Sequence, residues 1–174
     1  MDHFKNPTRQ NFALSLKLFA NRYPDAGYGK FFKEWTQDFD LNKCNDSFGN
    51  GAAMRVSPIA VYAHSNNMNI YDVGVLAEIS AISTHGHQDG INGATATAKT
   101  IFMAMKKKTK DEIKNYIQDN YHYDLEKTID QYRKENTRFS SDAIKTIPVA
   151  IRAFLESNSL EQAIRYAISF GGDT

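Results

Sequence analysis

Apolar residues recur at helical spacing along almost the whole chain, and no stretch alternates apolar with polar residues as a half-buried strand would. Phe12, Leu16 and Phe19 share one face between Asn11 and Ala20. Val73, Leu76, Ala77 and Ser80 share another over 69–83, with Asn69 placed as N-cap. Ala94, Ala98, Ile101 and Met105 continue at i, i+4, i+7 and i+11, and their small members let a second helix pack closely. Thr109 with Glu112, and Ser159 with Gln162, have the capping-box spacing ahead of further apolar runs. Pro148 suits a first helical turn, followed by the stripe Ala150, Ile151, Phe154 and Leu155. These signals predict an all-α chain.

Composition narrows the class. A chain of 174 residues is long enough to bury roughly 70% of the surface its unfolded form exposes, and without repeats or linkers it reads as one domain over 1–174. Lys and Arg total 21 against 20 Asp and Glu, so no net field favours nucleic acid or an acidic membrane surface. The basic segment "MKKKTK" at 105–110 reads as a solvated turn between helices. Cys44 is the one cysteine, which excludes an internal disulfide framework and a thiolate zinc cage. With no apolar leader in "MDHFKNPTRQ" and no run of membrane-spanning length, the expectation is a cytoplasmic protein.

Three stretches break the helical text. In "NDSFGNGAAMR" (Asn45 to Arg55) glycines flank an asparagine, as in an inter-helix turn or in a loop whose backbone comes close to a ligand. In "STHGHQDG" (Ser83 to Gly90) His85 and His87 stand at a helix end, where they can cap, pack, or meet a phosphate, a ribose or a metal. The terminal "GGDT" places Asp173 after two glycines, either as a surface acid or as one oxygen ligand of a hard divalent cation. Taken singly, the residues leave these alternatives open.

In order and spacing, "SFGNGAAMRVSPIA", "ISTHGHQDGINGATATAKTIFMA" and "IPVAIRAFLESNSLEQAIRYAISFGGDT" resemble the ADP-ribosylglycohydrolase family, and in particular its bacterial branch acting on ADP-ribosylated dinitrogen reductase. The likeness runs from "YPDAGYGKFFKEW" at Tyr23–Trp35 to the last residue. It implies a roughly orthogonal multi-helix fold around a cleft that holds two divalent ions, Mg²⁺ or Mn²⁺, beneath ADP-ribose. It implies a hydrolase that releases ADP-ribose from a modified protein side chain or small molecule. On this resemblance Ser47, Phe48, Gly49, Asn50 and Gly51 line the ADP-ribose site, with Phe48 positioned to stack on adenine. His85 matches the histidine near the diphosphate and ribose, and Asp173 matches the first metal acid of the family's Gly-Gly-Asp motif. The family's Thr-Asp-Asp triplet occurs nowhere in the sequence, and its second C-terminal Asp would follow Thr174. The chain is therefore expected to be truncated at both ends, with its catalytic residues unknown, inactive as an isolated fragment, and with apolar faces near Ile164, Ala167 and Ile168 left uncovered. The alternative is a non-catalytic ADP-ribose-binding or protein-interaction remnant of that fold.

Overall fold

A computed structural model describes residues 7–135 and 140–171. Among them are nine α-helices and one 3-10 helix, with isolated bridges and no β-strand. The α-helices are α1 (Arg9–Arg22), α2 (Lys30–Thr36), α3 (Ser57–Ser65), α4 (Ile70–Ala81), α5 (Gln88–Met105), α6 (Lys110–Tyr121), α7 (Ile129–Glu135), α8 (Ala143–Glu156) and α9 (Leu160–Ile168). The 3-10 helix, Asn50–Arg55, comes from the glycine-bearing loop read in the sequence. The all-α expectation is met.

Helix starts follow side-chain chemistry. Asn69 caps α4 in a reciprocal box with Asp72, and Thr109 does the same for α6 with Glu112, satisfying amides that a helix start otherwise leaves unpaired. At α9, Ser159 caps Gln162 N as expected, but the Gln162 side chain turns instead to Asn158 N at 2.7 Å. α8 departs from expectation. Pro148 lies inside it rather than in its first turn, because the helix begins five residues earlier, at Ala143. Tertiary bonds carry the chain back past the proline: Ala143 N donates to Phe48 O at 2.9 Å, and Asn50 N to Ser141 O at 2.8 Å.

α5 is the central element, packing on the 3-10 helix and on α3, α4, α6 and α8. One side, with Ala94, Ala98 and Phe102, joins a core filled by Val56, Ile59, Val73 and Leu76. Its opposite side, with Ala96 and Met103, joins a second core with Ile113, Ile117, Ile147 and Ile151. Small side chains make this double duty possible: Ala94, Ala96 and Ala98 are fully buried, and a β-carbon on Gly93 would stand only 3.0 Å from Ala143 Cβ. The helices are thereby drawn close, and the loops at one end converge.

α1 and α2 are joined by Lys17. This buried ammonium donates to Trp35 O and Asp38 O, each at 2.5 Å, and lies 4.1 Å from the Trp35 ring centre. Trp35 O is in the last turn of α2, where a cation complements the helix dipole, and Asp38 O lies just past its C-cap Gln37. At the other end of the chain α9 buries none of its residues, and Leu160, Ile164 and Ile168 are exposed. Of the three residues expected to be uncovered there, Ile164 and Ile168 are exposed and Ala167 is half-buried.

Candidate functional site

The loop 45–50 is held from two sides. Gly86 N donates to Asn45 O at 2.7 Å, and short bridges join Asn45 and Asp46 to His85. On the other side stand the Ser141 and Ala143 bonds already described, together with Asn50 Nδ2 to Thr146 Oγ1 at 3.2 Å. Asn50 N and Gly49 N both find protein acceptors, the latter Ser47 Oγ at 3.3 Å, so these two amides are turned inward. The loop offers close backbone approach more than a row of free donors.

Beside it opens a cleft of about 630 Å³. Ser47, Gly49, Asn50, Gly51 and His85 all line it, as do Arg55, Thr84 and Ser141. Part of its lining is aromatic. Tyr28, Phe31 and Phe32 face the cleft, with Tyr28 and Phe32 ring centres 5.1 Å apart and Phe32 seated 5.6 Å from buried Trp35. Asn45 Nδ2 donates to Phe31 O at 2.9 Å and fixes this part of the lining to the loop. Such a cavity, lined by both polar and aromatic residues, suits a ligand that combines ring planes with hydroxyl or phosphate oxygens.

His85 is buried at the foot of the cleft. Burial, with the Arg55 charge nearby, pushes its pKa down to about 4, so the ring is neutral near pH 7. Gly90 on α5 makes room for it, since a β-carbon there would lie 3.0 Å from His85 Cδ2 and 2.8 Å from Ser47 O. Gly51 has no left-handed backbone, and a β-carbon there would meet His85 Nε2 at an ordinary 3.6 Å. Its glycine matters only insofar as a side chain would occupy the cleft.

His87 has a different role from its neighbour. Its Nδ1 accepts from Asp89 N at 3.2 Å and so caps α5. Phe48 is half exposed, meets His87 edge-on at 6.0 Å, and stands outside the residues that line the cleft. Asp173 lies outside the described residues. The aromatic lining, Arg55, Thr84 and Ser141 were not singled out from sequence; Tyr28, Phe32 and Trp35 at i, i+4 and i+7 carried a readable signal.

The model of the ADP-ribosylglycohydrolase family matches residues 5–174. The chain belongs to the ADP-ribosylglycohydrolase family. Among curated proteins it is similar to the ADP-ribosylhydrolase ARH3 of Homo sapiens, 27% identical over 216 aligned positions that cover 90% of this chain and 58% of the relative. ARH3 of Gallus gallus is 25% identical over 218 positions, covering 91% of this chain and 58% of the relative. ARH3 of Bos taurus is 26% identical over 218 positions, with coverages of 90% and 58%. These relatives, rather than the dinitrogen-reductase branch, are what the comparison supports. The chain thus spans 58% of the length of the curated relatives it matches. Since 216 aligned positions exceed its 174 residues, the human relative also carries internal insertions with no counterpart here.

A pair of Mg²⁺ or Mn²⁺ ions, as the resemblance implies for this family, requires several converging oxygen donors. Among the described residues no three His, Cys, Asp or Glu side chains come together in such a group. The described donor set does not fit the metal pair, and no chemical step is assigned through it. No helix among the described residues is long and apolar enough to cross a membrane.

Proposed function

We propose that this chain carries the ADP-ribose-recognising part of an ADP-ribosylglycohydrolase-type hydrolase that removes ADP-ribose from a modified side chain or small molecule. One observation carries the reading: in a member of this family, the loop residues Ser47, Gly49, Asn50 and Gly51 and the distant His85 line a single cleft. Their chemistry suits the ligand. Hydroxyl, amide and imidazole groups meet ribose and diphosphate oxygens, while Tyr28, Phe31 and Phe32 offer ring faces to adenine. Phe48, half exposed beside His87 and outside the lining residues, keeps adenine stacking as its proposed role.

The absence of a metal-ligand group among the described residues favours a second reading, an ADP-ribose-binding module without turnover. Asp173 enters the first reading as a metal ligand and has no place in the second. Two measurements separate them. Calorimetric titration of the 174-residue chain with ADP-ribose, with and without Mg²⁺, tests recognition; release of ADP-ribose from ADP-ribosylated arginine and serine peptides in excess Mg²⁺ or Mn²⁺ tests turnover. Binding without release supports the module, and binding with release the hydrolase. No binding in either condition removes both.

A further inference from the structure

His85 can serve the cleft only through the hydrogen its neutral ring carries, and its neighbours determine which nitrogen carries it. Thr84 Oγ1 lies 2.8 Å from Arg55 Nη2 and 2.7 Å from His85 Nδ1. A guanidinium has donors and no acceptor, so Oγ1 accepts from Arg55. The single hydroxyl proton then has two possible acceptors, His85 Nδ1 at 2.7 Å and Ala81 O at 3.5 Å. The first distance is typical of a hydroxyl hydrogen bond and the second is at its outer limit. A cation on the far side of Oγ1 also polarises the hydroxyl toward donation. Nδ1 is therefore an acceptor, and the ring proton sits on Nε2.

We propose that Arg55 and Thr84 are positioning residues that lock His85 as its Nε2–H tautomer, so that Nε2 donates one hydrogen bond into the cleft beside Gly51. The arrangement is held at both ends. Arg55 Nη2 also donates to Ser80 O at 2.9 Å, near the C-terminus of α4, and its Nε is buried without a partner. No carboxylate among the described residues forms an ion pair with Arg55 to draw it away. At the other end Gly90 lies against the ring, as the 3.0 Å and 3.1 Å approaches of a β-carbon there to Cδ2 and Cβ show. Nε2 faces Gly51, where a β-carbon would stand 3.6 Å away. A neutral N–H in this place recognises an oxygen lone pair, such as a phosphate or ribose oxygen, and is unsuited to removing a proton. The ligand assignment rests on the ADP-ribose reading above, whereas the tautomer does not.

The test therefore has two arms. Long-range proton–nitrogen correlation spectra of the ¹⁵N-labelled 174-residue chain without ligand, with His85 assigned through His85→Gln, are expected to show an unprotonated Nδ1 and a protonated Nε2. Thr84→Val should lose this fixed pattern, and Thr84→Ser should restore it. A proton on Nδ1 in the wild type overturns the proposal, and so does a Thr84→Val spectrum identical to wild type. In the second arm, Thr84→Val should weaken ADP-ribose binding about tenfold, as for loss of one hydrogen bond near 1.4 kcal/mol, while Thr84→Ser stays within about twofold. Equal binding by both variants, with the tautomer altered in Thr84→Val, refutes the donor role. If the tautomer behaves as expected but the wild type does not bind ADP-ribose, the lock stands and the ADP-ribose reading fails.

Discussion

Replacing Gly90 by alanine sets two opposed effects against each other at the base of the cleft. Within a helix the change is favourable by about 1 kcal/mol, because glycine has more backbone freedom to lose on folding. Against this, the new β-carbon of α5 would stand 2.8 Å from the Ser47 carbonyl oxygen and 3.0 Å from His85 Cδ2. Neither neighbour yields readily. The first is backbone in a loop bonded at Asn45, Phe48 and Asn50, and the second is a ring buried to 7% exposure. Forcing a methyl into such a contact costs about 1–3 kcal/mol, so the expected net loss is about 1 kcal/mol, or roughly 3 °C in Tm for a domain of this size. Binding should suffer more than stability, because the atoms displaced belong to Ser47 and His85: ADP-ribose affinity is expected to fall about tenfold, equivalent to ~1.4 kcal/mol. Gly74→Ala is the control. Its β-carbon would approach Lys99 Cε to a similar 2.8 Å, but that side chain can swing aside, leaving the helix-propensity gain. Urea denaturation followed by circular dichroism, with calorimetric titration of ADP-ribose, measures both variants. If Gly90→Ala gains stability alongside Gly74→Ala and binds ADP-ribose normally, the close-contact reasoning is wrong.

Stability should decline in mild acid through His85: between its ordinary pKa of 6.5 and its folded value of about 4, the unfolded chain takes up a proton that the folded chain does not. This contribution is complete above the upper value and diminishes by up to about 3 kcal/mol toward the lower one, so His85→Gln should flatten the wild-type urea-midpoint profile in that window. Lys17→Met should destabilise by about 2–3 kcal/mol in urea, because it strips a charged donor from two carbonyls while keeping the apolar stem, and a loss below ~0.5 kcal/mol would contradict this. The exposed Leu160, Ile164 and Ile168 should make sedimentation depend on concentration, with Ile168→Lys reducing the dependence; an ideal monomer at all concentrations would show that α9 does not self-associate.

What was legible in the sequence was mostly local. Asn69 and Thr109 announce helix starts because their side chains bond amides two or three residues away, a geometry the sequence spacing determines by itself. Pro148 misled for the complementary reason: hydrogen bonds from residues far along the chain extend α8 to its N-terminal side. The glycine loop and His85 could be picked out as departures from helical text, and the cleft brings them together. Ser141 and Thr84 carry no comparable mark, since their importance comes from elements that meet only after folding. His87 could be seen as a special residue, but its separation from His85 into a capping role required the α5 start to be known.

The loop at residues 45–50 is bonded to segments some forty and ninety-five residues further along the chain, including the pair Asn50 and Thr146 at a separation of 96. Such contacts close large loops of chain before any of them is rewarded, so they belong to the slow, non-local part of assembly rather than to the rapid formation of α4 or α6. The contacts that close the cleft are therefore expected to form after the local helices. Amide exchange at Asn50 should accordingly be faster than in the middle of α5, and a folding intermediate rich in helix would remain blind to the ligand.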